Sequence, residues 1–237
     1  MPVHLVALCI AANDPPTLVR FWAGVLDREI DDGGLTLLPD ERTGFRIAFE
    51  PTHVPKVGPD RMHPHLTSTS LEDQRATVDR VLGLGGHHLD VGQRPEEGHV
   101  VLADPEGNEF CVTEPGNAYL AGCGFLGELA CDGSREVGRF WSGALGWPLV
   151  WDRDQQTAIQ SPAGGTKIAW GGPPVAPKTR RNRLHLDLAP RARNDQQTEV
   201  DRLVALGATR IDDGQRIADG VTMVDPDGNE FCVLTSR

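Results

Sequence analysis

The decapeptide Ala103–Val112, ADPEGNEFCV, returns as Val224–Val233, VDPDGNEFCV. Eight of the ten positions are identical, and the offset is 121 residues in a chain of 237. Chance does not produce such a match, so the chain reads as a tandem duplication. The decapeptide itself reads as a β-hairpin. Asp-Pro opens a turn, because proline fixes φ and biases the residue before it away from the helical region. Gly-Asn follows, the two residues that best tolerate positive φ. Glu109-Phe110-Cys111-Val112 then begins a strand, and the runs Val100-Val101-Leu102 and Val221-Thr222-Met223-Val224 upstream are β-prone.

Outward from the hairpins, each half repeats one plan twice. Leu5 to Ala12 is a continuous apolar run, as a buried strand would be. Asn13-Asp14-Pro15-Pro16 reads as a helix start, and Leu18, Phe21, Trp22, Val25 and Leu26 follow at helical spacing. Leu35–Leu38 and Phe45–Phe49 read as two strands, and the proline-bearing Thr52–Arg61 as a linker. His65–Ser70 starts a second β-α-β-β-β unit, whose helix closes at Gly85-Gly86. Glu114-Pro115-Gly116-Asn117 reads as the boundary between halves. Beyond it, Phe140-Trp141 answers Phe21-Trp22, His185-Leu186 answers His65-Leu66, and Leu206-Gly207 answers Leu84-Gly85. The expected architecture is α+β: two tandem domains, 1–115 and 122–237, each a pair of β-α-β-β-β units around its own cleft.

Composition bounds the partners. A net charge of −11 and a pI near 5.1 argue against nucleic acid or an anionic membrane, which need a basic face. The basic cluster Lys178–Arg183 reads as a solvated loop between strands. Five scattered cysteines without a CxxC fit reduced thiols in a cytosol. The apolar start lacks a basic leader and is too short to span a bilayer, so the expected location is cytoplasmic. A small-molecule ligand is the expected partner, with the protein a monomer or homodimer.

The Phe-Trp helix, the His-Leu strand, the Leu-Gly helix end and the DP(E/D)GNEF hairpin together resemble the vicinal oxygen chelate superfamily. That group holds glyoxalases, bleomycin-resistance proteins and extradiol dioxygenases, and the narrower resemblance is to tandem glyoxalase-like proteins. The resemblance covers nearly the whole chain. It implies paired units that curl their mixed sheets around a cleft. It also implies metal ligands, often His or Gln on the first strand of each unit and usually Glu on the last. Here Cys111 and Cys232 stand at the glutamate positions, and the first-strand positions fall near Ala7 and Leu126. His65 and His185 match the ligand position on the first strand of the other unit.

Strand alternation puts Cys9 on the face of Ala7 and Glu128 on the face of Leu126. Two donor sets follow within the halves: Cys9, His65 and Cys111, and Glu128, His185 and Cys232. The second suits Zn²⁺ or another borderline metal with an open position. The alternative is that these cysteines are small buried apolar residues. His65 and His185 are read as structural residues bonded to loop carbonyls, as acid–base groups, or as ligands. Because His63 and His65 flank Pro64, only one of the two needs to face inward. Glu128, among Phe125, Leu126, Leu129 and Ala130, would be costly if buried unpaired. Trp147, Trp151 and Trp170 either line a pocket for a planar ligand or pack in the core. His87-His88 reads as surface.

Three functions remain open. The leading one is a glyoxalase-like protein that binds a small, apolar or aromatic molecule. Glu128, His185 and His65 would supply its acid–base chemistry, and Cys9, Cys111, Cys232, Trp147 and Trp170 its ligand contacts. It would work without the usual metal set or any other cofactor. The second is a metal-dependent lyase, isomerase or dioxygenase using Zn, Fe, Mn or Ni. The third is a scaffold without chemistry of its own.

Overall fold

The computed structural model describes residues 3–94, 96–191, 195–211 and 220–235. In chain order, the first unit is β1 (His4–Ala12), α1 (Pro15–Leu26), β2 (Thr36–Leu37) and β3 (Arg46–Pro51). The second is β4 (Met62–Leu66), α2 (Leu71–Gly83), β5 (His87–His88), β6 (Val100–Ala103) and β7 (Glu109–Val112). The third is β8 (Leu126–Cys131), α3 (Arg135–Leu145), β9 (Leu149–Arg153), β10 (Gln156–Gln160) and β11 (Lys167–Trp170). The fourth is β12 (Leu184–Ala189), α4 (Gln196–Ala205), β13 (Thr209–Arg210), β14 (Gly220–Val224) and β15 (Glu230–Leu234). Each helix starts where a short polar side chain accepts from a first-turn amide: Asp14, Ser70, Ser134 and Asp195.

The two mixed sheets are not assembled within the halves. One has the order β13-β14-β15-β12-β1-β3-β2 and joins the first unit to the fourth. The other has the order β5-β6-β7-β4-β8-β11-β10-β9 and joins the second unit to the third. The seams are antiparallel, with Cys9 opposite His185 in the first sheet and His65 opposite Glu128 in the second. The expectation of one cleft inside each half is therefore corrected: each half supplies one unit to each sheet. The physical reason is plainest at the first seam, where β1 and β12 are both apolar enough to be buried centrally; at the second, the largely buried β8 covers the shorter β4, which buries Pro64 and Leu66.

Each half is instead held together through its helix. Trp22 of α1 tilts against Phe110 of β7 at 4.9 Å between ring centroids, and its indole N–H donates to Asp104 at 3.2 Å. The copy in the other half does the same, Trp141 against Phe231 at 5.1 Å and Trp141 Nε1 to Asp225 at 3.1 Å. In the hairpins only the glycine takes positive φ, at Gly107 (86°) and Gly228 (81°). Asn108 and Asn229 use their side chains, donating from Nδ2 to Asp104 and Asp225. The aspartate thus closes its own turn and satisfies a buried indole.

Two further expectations change. His63 and His65 share one face of β4, as residues two apart on a strand must. The basic cluster is not all solvated. Arg183 is buried and donates to Glu106 at 2.7 Å, Asn108 Oδ1 at 2.9 Å and the Ala11 carbonyl at 2.6 Å, so it clamps the fourth unit onto the first and second. The β5 histidines are exposed, as expected.

Candidate functional site

On the seam strands the leucines and isoleucines turn into the core, and in β8 a register shift beside Gly127 lets Leu126 enter the core while Glu128 lines a cavity, which corrects the shared face expected from strand alternation. Leu8 and Ile10, Leu184 and Leu186, Leu126 and Leu129, and Phe231 and Val233 belong to the core cluster. Cys9, His185, Glu128 and Cys232 stand between them. Each sheet thus presents a set of chemically active side chains on one face, and the two sets differ.

The second sheet holds a cavity of about 540 Å³. Its lining includes Trp151 from β9, Trp170 from β11 and Tyr119 from the connection between halves, with His63 and His65 from β4 and Glu128 from β8. His65 Nδ1 lies 2.9 Å from Glu128 Oε2, and its Nε2 lies 3.0 Å from His63 Nε2. Burial pulls the His65 pKa down, but hydrogen bonds to Cys111 and Glu128 outweigh it and push it up to about 9. Burial, with the charge of His65 beside it, lowers His63 to about 4. Near neutral pH, His65 is therefore an imidazolium that donates to Glu128 and to the free nitrogen of a neutral His63. Tyr119 also bonds to Glu128. Burial, and then Glu109, push the Asp60 carboxyl up to about 7 at the rim of the same cavity. Lys56 Nζ stands 3.2 Å from Asp60 Oδ2 without making an aligned hydrogen bond.

The first sheet holds a packed cluster, with a pocket of about 90 Å³ beside it. Cys9, Glu50 and His185 place their donor atoms within 4.8 Å of one another, and so do His185, Asp187 and Cys232. Burial first, and then Asp187 and Glu50, push the thiols of Cys9 and Cys232 upward. His185 Nε2 and Asp187 Oδ1 are buried without a hydrogen-bond partner, 3.5 Å apart. His185 does not use that nitrogen on a loop carbonyl, the structural role considered for it.

These placements regroup the expected donor sets. Cys9 stands on the first sheet, whereas His65 and Cys111 stand on the second. Glu128 is on the second sheet, whereas His185 and Cys232 are on the first. The expected triads do not form, because each mixed residues from the two clefts. Trp147 packs against the core rather than lining the cavity, and Trp151 lines it instead. Asp60, Tyr119, Glu50 and Asp187 were missed. Only Asp187 carried a signal: like Glu128, it is a carboxylate inside an otherwise apolar strand, two residues from a histidine.

The family model for the glyoxalase-like domain matches twice, at residues 7–113 and 128–234. The chain belongs to the glyoxalase-like domain family. Among solved structures, glyoxalase I from Zea mays aligns over 98% of this chain and 92% of its own, with TM-score 0.64 and 13% identity. A candidate dioxygenase from Bacillus subtilis aligns over 98% of this chain and 84% of its own, with TM-score 0.61 and 15% identity. At such identities the likeness is one of fold, and it extends over both glyoxalase-like repeats. A search of curated proteins gives no match.

A metal is common in this superfamily, and the two glyoxalase-like clefts fit one unequally. The trio His63, His65 and Cys111 has donor spacing that would suit an ion. However, both ring nitrogens of His65 already have partners within the protein. The first sheet's cluster leaves a nitrogen and an oxygen unsatisfied. Among the described residues no helix is long and apolar enough to cross a membrane.

Proposed function

We propose that the cleft of the second sheet binds a small, planar, largely apolar molecule bearing an oxygen acceptor, and that it does so without a metal in that cleft. The observation that carries this reading is the cavity of about 540 Å³, which has Trp151, Trp170 and Tyr119 on its walls and the His65–Glu128 pair among its polar groups. Aromatic walls favour a flat ligand through dispersion and offset stacking. The His65 imidazolium, held by Glu128, supplies positive charge for an oxygen that is or becomes negative. Asp60, poised near neutral pH, can accept or return a proton. Such a set suits proton abstraction beside a carbonyl. It equally suits simple retention of a phenolate or enolate.

The test is a ligand-observed NMR screen of aromatic and carbonyl metabolites, with tryptophan fluorescence as a second readout. Binders should lose at least about tenfold in affinity in Trp151→Ala, the cost of one aromatic contact. Glu128→Gln should weaken anionic binders more than neutral ones. A screen without binders, or binders indifferent to both substitutions, would sink the reading.

A further inference from the structure

We propose that a second chamber, between the two linkers, extends the aromatic cleft of the second sheet and reads a carboxylate tail through Arg180. The ligand class is then a flat, largely apolar head joined by a flexible chain to an acid. This rests on the head-binding reading above and adds the tail to it.

The chamber arises from the way the two linkers dock. Each lies on the last strand of its own half in the same manner. Lys56 Nζ stands 2.9 Å from Glu109, and Lys178 Nζ stands 2.8 Å from Glu230. The Asp60 and Asn182 amides donate to the same two carboxylates, each at 3.1 Å. Each lysine also donates to the carbonyl two residues on, that of Gly58 at 2.7 Å and that of Arg180 at 2.6 Å. Gly58 and Arg180 are therefore equivalent positions, and one of them has no side chain. Gly58 takes a φ of 66°, and a β-carbon there would stand 3.2 Å from Arg180 Nη1. Arg180 uses that space and donates from Nη2 to the Pro59 carbonyl at 2.6 Å. Its guanidinium is thus held in place although the residue is exposed.

Between the linkers lies a cavity of about 360 Å³, whose lining includes Arg61, Thr179, Arg180 and Asn182. None of its lining residues belongs to a strand. Asp60 and Asp132 line both this cavity and the aromatic cleft, so the two adjoin there. The charged groups of the chamber are committed, with one exception. Arg61 donates to Asn229 Oδ1 at 2.8 Å and to the Ala176 and Asp132 carbonyls, and stands 3.4 Å from the Asp132 carboxylate. Asp60 is answered by Lys56 at 3.2 Å. Arg180 bonds to a single carbonyl and, among the described residues, has no carboxylate partner. A guanidinium is a planar fork that fits a carboxylate with two parallel hydrogen bonds. Head and tail then divide between the chambers. The aromatic walls and the His65–Glu128 pair hold the head, the chain passes Asp60 and Asp132, and Arg180 takes the acid.

The experiment uses full-length protein and calorimetry with para-hydroxyphenylalkanoic acids of increasing chain length. Each acid is compared with the alcohol and the amine of the same length. Beyond a threshold length the acid should bind at least about tenfold more tightly than its alcohol, the worth of one charge-assisted hydrogen bond. That ratio should collapse in Arg180→Gln while the alcohol binds as before, which also shows the variant to be folded. Arg180→Glu should favour the amine instead. Trp151→Ala should weaken acid and alcohol alike. para-Hydroxybenzoate, too short to reach the chamber, should be indifferent to Arg180. An acid preference already complete in para-hydroxybenzoate, or one unchanged in Arg180→Gln, places the acid elsewhere. Either result overturns the proposal and leaves the head-binding reading standing, provided that the alcohols still bind and still depend on Trp151. Acids and alcohols that all fail to bind overturn both together.

Discussion

His65 carries its charge because two neighbours outweigh its burial, and Glu128 is the one that can be neutralised without changing size. In Glu128→Gln the amide still fills the space, but the negative partner is gone. The His65 pKa should then fall from about 9 by more than about one unit, as read by NMR titration of the ring protons. An unchanged titration would mean that Cys111 holds the charge alone. The same pair sets a pH dependence of stability. A histidine whose folded pKa is raised binds its proton more tightly folded than unfolded, so its stabilisation is complete below about 6.5 and is lost as pH rises through about 9. The full effect has an upper bound of about 3 kcal/mol at 1.36 kcal/mol per unit. Buried thiols lose stability over the upper part of the same range, so the difference between wild type and Glu128→Gln is the informative quantity. That difference in unfolding free energy should shrink between pH 7 and pH 9. A difference that stays constant would refute the assignment. Glu128 was legible in the sequence as a carboxylate in an apolar strand. Its partner was not, because the charge came from His65, 63 residues away in another repeat unit.

At the scale of elements, the hairpin loops do more than reverse the chain. Glu106, in the loop between β6 and β7, accepts from the Asn13 and Asp14 amides at 2.9 and 2.7 Å, just before α1, and from the buried Arg183. Asp227 does the matching work before α3, accepting from the Ser134 amide and hydroxyl. The helix starts were legible because Asx, Ser and Pro act locally. These long-range carboxylates were not, because an acidic residue in a turn is ordinarily solvated. Glu106→Ala removes the charge partner of a buried guanidinium and should cost about 3 kcal/mol by denaturant unfolding. Arg94→Ala, an exposed ion pair with Glu97, should stay within about 0.5 kcal/mol. Equal effects for the two variants would show that the Arg183 clamp contributes no more than a surface pair. The unexpected start of β4 at Met62 belongs to this scale as well. A strand containing Pro64 reads poorly from propensity, but pairing with β8 sets its length, from Met62 opposite Cys131 to Leu66 opposite Leu126.

For the whole molecule, the repeat was readable and the pairing of its units was not. Identity between the hairpins shows that the halves are copies, yet any β-α-β-β-β unit offers the same first-strand edge to any other. The choice of the first unit for the fourth, and the second for the third, rests on long-range register between apolar strands, to which local patterns are blind. The consequence is mechanical. A half such as 1–121 keeps the Trp22–Phe110 contact that binds its two units. It loses β12 and β8, the strands that cover β1 and β4. Two central strands would then become open edges, which invite pairing with another chain. Neither 1–121 nor 122–237 should therefore behave as a folded monomer. Each alone should unfold, aggregate or self-pair, whereas mixing the two should restore the tryptophan fluorescence and cooperative melting of the intact chain in a one-to-one complex. Light scattering after size exclusion distinguishes these states, and a cooperatively melting monomer from either half would show that the cross-half seams are dispensable.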